Sequence, residues 1–262
     1  PACLNTKGYP YFVKVQRDML TVTYVGKGNH AHDVGSVRSN NPVPKGTPSC
    51  HIASDVDIYY YEAQVVDSGA KGKVSIGLAS SAFVLTRQCG STPDSYGYRG
   101  DQGRKFNGEL RSSNESSGTG SNGGTGTLFA PQFGSGKASP GLNAVGDVVG
   151  CGVNSYTGEI FYTRNGRFMG KKEFVCAIHT GVAFSVATAD LYPTVSLHSP
   201  GETVTLNFGG SAFRFDIEGL RADERAKMEI KVAACKLDTS ILRPLIRSYF
   251  LHHGLQQSLD AL

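Results

Sequence analysis

A hairpin turn is encoded at Asn165-Gly166, between two short segments of strand-forming residues. Asn and Gly tolerate the positive φ angles that both central residues of a type I′ turn require, and such a turn joins antiparallel strands through a two-residue loop. Residues 159–163, Glu-Ile-Phe-Tyr-Thr, are mostly β-branched or aromatic, as strands favour. The sequence therefore predicts a β-hairpin here and an antiparallel sheet around it.

Further short strands are predicted on both sides of the hairpin. Val, Ile, Thr, Tyr and Phe fill segments bounded by turn residues at 20–25, 58–66, 73–78, 148–153, 194–197 and 203–208. With 33 Gly and 11 Pro in 262 residues, this spacing is typical of a sandwich rather than a helical bundle. We therefore predict an all-β fold, a two-sheet antiparallel sandwich over residues 11–217.

The segment 58–66 predicts more than a strand. Tyr59, Tyr61, Ala63 and Val65 alternate along it and are expected to share one face. The turn residues Asp67-Ser68-Gly69 follow, and they predict an antiparallel pair between this strand and the strand at 73–78.

Residues 109–126 differ sharply in composition from the predicted strands, because Ser, Gly, Asn and Thr dominate them, and we expect a disordered insert there.

Helical character is confined to the C-terminal part of the sequence. Good helix formers predict a linking helix over 218–237. A second helix is predicted from about Leu242 to His253, with Pro244 in its first turn and Gly254 as its C-terminal stop. Its apolar residues recur at four-residue steps: Ile241, Leu242, Leu245, Ile246, Tyr249 and Phe250. So wide an apolar stripe on a short helix predicts association with another helix, from a second copy or from a different subunit.

Motifs for catalysis, cofactors and metals are weak. Residues 118–123 match GxGxxG, but no predicted strand precedes them and no predicted helix follows them. His30, His32 and Asp33 together with Cys50-His51 offer zinc-ligand types, yet they lack a second compact ligand pair. No GxSxG or HExxH pattern occurs, although a triad scattered along the chain stays open at this point. We expect a protein without catalytic residues, cofactor or metal.

The charge distribution argues against nucleic-acid binding, and the hydropathy argues against a membrane-spanning segment. The net charge of +4 is spread among acids, without a run of five like charges. No apolar run approaches the roughly 20 residues that span a bilayer, and no signal-peptide pattern begins the sequence. The six cysteines form no CxxC pair, which favours reduced thiols. We expect a cytoplasmic protein, with the nucleus as a second compartment, and because residue 1 is Pro we expect a longer natural chain.

Several segments, taken in order, resemble the SPRY domain of the RanBPM family, the scaffold subunit of the GID/CTLH E3 ubiquitin ligase. The resemblance is carried by VTYVGKG at 22–28, residues 36–38 and 42–44, IYYYE at 58–62, SYGYRGD at 95–101, GDVVGC at 146–151, FYTRNG at 161–166 and LYPTV at 191–195. Residues 207–209 and 215–218 look like that family's exit from the sandwich. PLIRSYFLHHG at 244–254 is similar to the start of a LisH motif, placed at 240–262 and ending before the family's CTLH region.

Two features depart from the family pattern. The Ser/Gly-rich insert at 109–126 lengthens a loop that is short in most relatives. Leu255 stands where an aromatic residue usually follows the LisH glycine.

The resemblance implies a shallow groove that binds a peptide segment of a partner protein through loops at one edge of the sandwich. Carried onto this sequence, one wall would contain Arg38, Asn41, Pro42 and Pro44. A second wall would contain Leu85, Arg87, Tyr96 and Tyr98, and the floor would contain Leu197, His198 and Pro200. Tyr96 and Tyr98 could instead support the sandwich.

The resemblance further implies an adaptor whose LisH-like helix joins ligase scaffold subunits as a homodimer or heterodimer. A lectin-like carbohydrate-binding sandwich is the alternative, because two-sheet folds also carry glycan sites. The absence of Trp and of an acidic calcium loop weakens that alternative.

Overall fold

Fourteen strands and three helices lie in the part of the chain that this computed structural model describes. The described residues are 1–30, 32–44, 58–108, 127–128, 145–155, 157–169, 182–185, 190–234 and 239–260. The strands form two antiparallel sheets that share a core, so the predicted sandwich is confirmed. The predicted insert at 109–126 and the candidate ligands Cys50 and His51 lie outside the described residues.

The larger sheet contains eight strands, and each pair of neighbours in it is antiparallel. In chain order they are β1 (Val13–Val15), β2 (Thr21–Tyr24), β4 (Ile58–Ser68), β9 (Val148–Asn154), β10 (Glu159–Arg164), β11 (Arg167–Phe168), β12 (Val182–Ser185) and β14 (Glu202–Asn207). Their spatial order is β1-β2-β14-β4-β9-β10-β11, with β12 paired to β10 as well.

The smaller sheet contains six strands, again all antiparallel. They are β3 (Gly35–Arg38), β5 (Ser75–Ser80), β6 (Ser95–Arg99), β7 (Arg104–Phe106), β8 (Thr127–Leu128) and β13 (Leu191–Leu197). The spatial order is β3-β13-β5-β6-β7-β8. This order places β3, which carries Arg38, at one end of the sheet.

The core lies between the two sheets and follows the alternation predicted for β4. Tyr61, Ala63 and Val65 are fully buried there, and Tyr59 packs against the same cluster, so the predicted face is confirmed. The Tyr61 hydroxyl crosses the core and donates to the Gly77 carbonyl at 2.6 Å. Because Gly77 belongs to the other sheet, this buried hydrogen bond ties the two sheets together.

The predicted hairpin is confirmed at β10 and β11. Thr163 lies opposite Phe168, which leaves Asn165 and Gly166 as the two turn residues with φ angles of 50° and 77°. The Asn165 side-chain oxygen also accepts the Val148 N–H at 2.9 Å. A side chain fits poorly at position 166, since a Cβ there would lie 2.7 Å from the Arg214 carbonyl oxygen.

The predicted pairing of β4 with β5 is wrong. β4 pairs with β14 and β9, whereas β5 pairs with β13 and β6 in the opposite sheet. Between them the chain crosses from one sheet to the other, with Gly69 in the left-handed region at a φ of 57°. A Cβ on Gly69 would lie 2.5 Å from the Pro200 carbonyl oxygen, so this loop packs against the turn before β14. Alternation along the two strands is the same for a hairpin and for a crossover between sheets, so it could not distinguish them.

After β14 the chain returns across the outer face of the eight-stranded sheet. Phe215 and Ile217 pack there against Ile58, Tyr60 and Phe161 in a second, smaller apolar cluster. Three helices follow: α1 (Ile217–Ala234), α2 (Thr239–His252) and α3 (Gln256–Asp260). The side chain of Asp216 caps α1 by accepting the Gly219 N–H at 2.8 Å.

α2 begins three residues before the predicted start at Leu242, so Pro244 lies inside the helix and not in its first turn. Pro244 has no N–H to donate to the Ser240 carbonyl one turn earlier, so the helix lacks one backbone hydrogen bond there. The predicted stop is confirmed, because Gly254 has a φ of 66° and its N–H donates to Leu251. The Leu255 N–H donates to the Phe250 carbonyl at 2.9 Å, which completes a Schellman motif. Among the described residues, we find no helix that is both long and apolar enough to cross a membrane.

Candidate functional site

Arg38 is held rigidly at the end of β3. Its guanidinium donates to the carbonyl oxygens of Ser80 and Ser81 at 2.8 and 2.6 Å. The same group lies over the Tyr192 ring, 5.4 Å from the centroid. Val37 points into the core, so alternation places Arg38 on the outer face of the six-stranded sheet. Arg38 is only partly exposed, and these contacts fix the position of its side chain.

The residues after β3 form a short wall beside Arg38. The Val43 N–H donates to the Leu191 carbonyl, and its side chain is buried in the core. Asn41 and Pro44 on either side of this anchor are exposed, and Pro42 is half-buried. Since proline fixes its own φ, ordering this wall around a ligand costs little entropy.

The connection between β5 and β6 supplies the neighbouring wall. The Ser36 N–H donates to the Leu85 carbonyl at 2.9 Å, and the Ser36 hydroxyl donates to the Arg87 carbonyl at 2.6 Å. These bonds fix the backbone of the connection along β3. The Arg87 side chain is exposed, Leu85 is half-buried and Val84 is 53% exposed.

The structure therefore brings six of the eleven predicted groove residues to one area. We call this area the Arg38 surface, and it comprises Arg38, Asn41, Pro42, Pro44, Val84, Leu85, Arg87 and Tyr192. Sequence reasoning missed Val84 and Tyr192. Tyr192 could have been found from strand register, because it alternates with Thr194, which lies opposite Arg38 in the sheet.

Tyr96 and Tyr98 lie on the other face of the six-stranded sheet. They stand opposite the core residues Leu78 and Ile76, so both aromatic rings point toward the inside of the sandwich. Tyr98 is fully buried, and burial raises the pKa of its hydroxyl. Tyr96 is half-buried and packs against Phe184 of the opposite sheet at 5.3 Å. They support the sandwich in this structure and add no area to the Arg38 surface.

The predicted floor also lies elsewhere. Leu197 is a fully buried core residue opposite Gly35, so its side chain points into the sandwich and not toward the Arg38 surface. His198 is nearly buried, with its Nε2 atom 2.8 Å from the His30 carbonyl oxygen, and burial lowers its pKa. Pro200 is exposed, in the turn that follows.

That turn is organised by a buried carboxylate, Glu202. It accepts the backbone N–H groups of His198 at 2.7 Å, Ser199 at 3.0 Å and Lys73 at 2.5 Å. Burial raises its pKa to about 7, although the three donors act in the opposite direction. Glu202 therefore has a structural role at this end of the sandwich: it holds the crossover loop against the start of β14.

Part of the apolar stripe of α2 is exposed to solvent. Leu245 and Tyr249, one turn apart, are 66% and 56% exposed, and Leu242 is exposed as well. Ile246 and Phe250 are half-buried, while the side chain of Ile241 lies outside the described residues. α2 contacts α3, which continues the C-terminal helical region.

Asp33, one of the candidate metal ligands, takes part in a hydrogen-bonded turn. The Asp33 carboxylate accepts the backbone N–H groups of Asn29 and His30, both at 3.1 Å, which is a turn rather than a ligand set. Within the described ranges, no group of three or more His, Cys, Asp or Glu side chains is arranged to hold a metal ion.

Comparison with known proteins gives consistent matches. A sequence model of the SPRY domain matches residues 58–211. The Ran-binding protein M homolog of Arabidopsis thaliana is 34% identical over 250 residues, covering 95% of this chain and 44% of that protein. Ran-binding protein 10 of Danio rerio is 32% identical over 260 residues, covering 97% of this chain and 36% of that protein. The chain thus spans less than half the length of these relatives.

A solved structure supports the fold directly. The crystal structure of a human SPRY domain is 25% identical, with a TM-score of 0.54. The superposition covers 79% of this chain and 100% of that one.

Proposed function

The chain belongs to the SPRY domain family, with homology to Ran-binding protein M across most of its length, and from this we propose that it is a protein-binding module. The Arg38 surface binds a short peptide segment of a partner protein. The observation that carries this proposal is the rigid presentation of Arg38, held by two carbonyl oxygens and the Tyr192 ring. Preorganised cationic and apolar groups lower the entropic cost of binding.

The chemistry of the Arg38 surface suits a peptide better than a small substrate. Arg38 and Arg87 supply positive charge, and Val84, Leu85 and the prolines supply apolar area. Arginine and aromatic residues are the side chains that most often dominate binding energy at protein interfaces. A partner segment with a carboxylate beside an apolar side chain would satisfy both kinds of group.

α2 provides the second half of the proposed function. Its exposed stripe associates with a helix of another subunit, as a LisH-like motif, within a ligase scaffold of the GID/CTLH type. Support comes from the exposure of Leu245 and Tyr249 and from the homology to Ran-binding protein M. Under this proposal the protein is a non-enzymatic adaptor of the cytoplasm, with the nucleus as a second compartment.

The proposal is tested by affinity purification from the organism's own cell extract. The bait variants are Arg87→Glu, which reverses an exposed charge on the Arg38 surface, and Lys14→Glu, which reverses an exposed charge on the other sheet. We expect Arg87→Glu to lose partners that Lys14→Glu retains, with melting temperatures unchanged. Identical partner sets for both variants and the wild type would refute the assignment of this surface.

A further inference from the structure

A cleft of ≈ 400 Å³ lies between α1 and the outer face of the eight-stranded sheet. Its floor is aromatic. The Phe168 and Phe215 rings meet edge to face with centroids 4.8 Å apart, and Phe161 lies 5.4 Å from Phe168. We call this the α1 cleft, with Phe161, Phe168 and Phe215 as its floor and Glu159, Asp216, Asp223 and Glu224 as its rim.

The α1 cleft is built by fixed elements. Phe168 belongs to β11, two residues after Gly166, and Phe161 belongs to β10. The Phe215 N–H donates to the buried Glu62 carboxylate at 3.0 Å, which fixes the chain where it enters α1. Phe161 and Phe215 are largely buried, whereas Phe168 is half-buried. A preformed aromatic floor with a partly accessible ring is typical of a site for an apolar side chain.

The rim of the α1 cleft has the opposite charge to the chain. Of the twelve described residues that line it, four are carboxylates and one is a lysine, a local balance of −3. The whole chain has 22 acidic residues in 262 and a net charge of +4. Lys227 lies 2.6 Å from Glu224, so those two charges offset each other. Glu159 on the sheet side and Asp223 on the helix side then leave negative charge on both sides of the floor.

We propose that the α1 cleft is a second protein-binding site, distinct from the Arg38 surface. It binds a basic segment of a partner that inserts one apolar side chain over Phe168 and places Lys or Arg beside Glu159 and Asp223. The charge balance of the rim favours such a segment over an acidic one. The Arg38 surface carries the opposite sign and lies on the other sheet, so the two sites select different partners.

The test is a binding titration with the full chain. The probe is a short fluorescein-labelled peptide in which Lys and Arg alternate with Phe and Leu, and fluorescence anisotropy is the readout. Asp223→Lys reverses one rim charge, and Glu229→Lys makes the same change at an exposed position of α1 outside the cleft. We expect Asp223→Lys to weaken binding about tenfold, as for a close charge pair at an interface, and Glu229→Lys to change it less than about twofold.

Three results would overturn the proposal. The first is an equal loss in Asp223→Lys and Glu229→Lys, which would mean that only overall charge matters. The second is equal binding of a peptide in which Glu replaces every Lys and Arg. The third is sedimentation data showing that a second copy of the chain occupies the cleft and excludes the peptide. Arg87→Glu should leave the titration unchanged, which separates this site from the Arg38 surface.

Discussion

The Glu62 carboxylate lies 3.0 Å from the backbone nitrogen of Phe215 and accepts its hydrogen bond on the outer face of the eight-stranded sheet. The same carboxylate accepts the Arg214 N–H at 2.9 Å and the Tyr60 hydroxyl at 3.0 Å. One nearly buried side chain of β4 thus fixes the exit from the sandwich. The start of α1 and the floor of the α1 cleft depend on this contact.

We predict that Glu62→Ala destabilises the protein by about 2 to 4 kcal/mol, because it leaves buried donors without an acceptor. Hydrogen exchange at the amides of Arg214 and Phe215 should be faster in this variant than in the wild type. Gln64→Ala is the matched control, since Gln64 is an exposed residue on the same face of the same strand. Protection at 214 and 215 that persists in Glu62→Ala would contradict the assigned role.

A second prediction concerns the β10–β11 turn. Gly166→Ala should cost about 2 kcal/mol, because it forces a left-handed φ on a residue with a Cβ. The added Cβ would also meet the Arg214 carbonyl oxygen. Gly210→Ala is the control, as nothing lies within 4 Å of its Cβ position. Urea unfolding of both variants checks this, and equal stabilities would show that the turn is not strained by a side chain.

The third prediction is that Glu202 makes the free energy of unfolding depend on pH. Its pKa is raised from 4.5 to about 7 in the folded protein, so folding binds a proton in this range. The contribution to stability is full below about pH 4.5 and is lost as pH rises through about 7, with a magnitude on the order of 3 kcal/mol. Unfolding free energies of the wild type and Glu202→Gln, measured between about pH 5 and 8, should differ in slope. Parallel curves would show that Glu202 does not titrate there.

The fourth prediction concerns α2. Leu245→Asp places a charge on the exposed stripe and should abolish association with the partner helix, because a desolvated unpaired charge costs several kcal/mol. Ser248→Asp adds the same charge to an exposed position outside the stripe and should leave association intact. Sedimentation velocity checks self-association, and co-purification checks a different subunit. Association that survives Leu245→Asp would remove the stripe from the interface.

Local features of the sequence were predicted well. The Asn165-Gly166 hairpin, the face of β4 and the Gly254 helix stop are confirmed, and each depends on residues adjacent in the chain. The pairing of β4 with β5 was wrong because a short Gly-containing loop can close a hairpin or cross between sheets. Contacts between residues far apart in the sequence, such as Gly69 against the Pro200 carbonyl, accompany the crossover and are not visible in the local sequence.

The candidate site also depends on contacts between segments that lie far apart in the sequence. The residues from Arg38 to Pro44 and from Leu85 to Arg87 come together because hydrogen bonds from β3 and Arg38 join the two segments. Tyr96 and Tyr98 could not be assigned to a face from alternation alone, since tyrosine is found both in cores and at surfaces. Glu62 was missed as well, although a carboxylate inside an aromatic strand was a usable signal.

The central claim is that the Arg38 surface contacts another polypeptide. Its most direct test replaces Val84, which is 53% exposed on this surface, with a photo-crosslinking amino acid and irradiates the chain in its own cell extract. The same replacement at Val25, which is 55% exposed after β2, serves as the control. We predict a specific crosslinked polypeptide from position 84 that is lost in Arg87→Glu and absent from position 25. No crosslink at position 84, or the same products from both positions, would contradict the account.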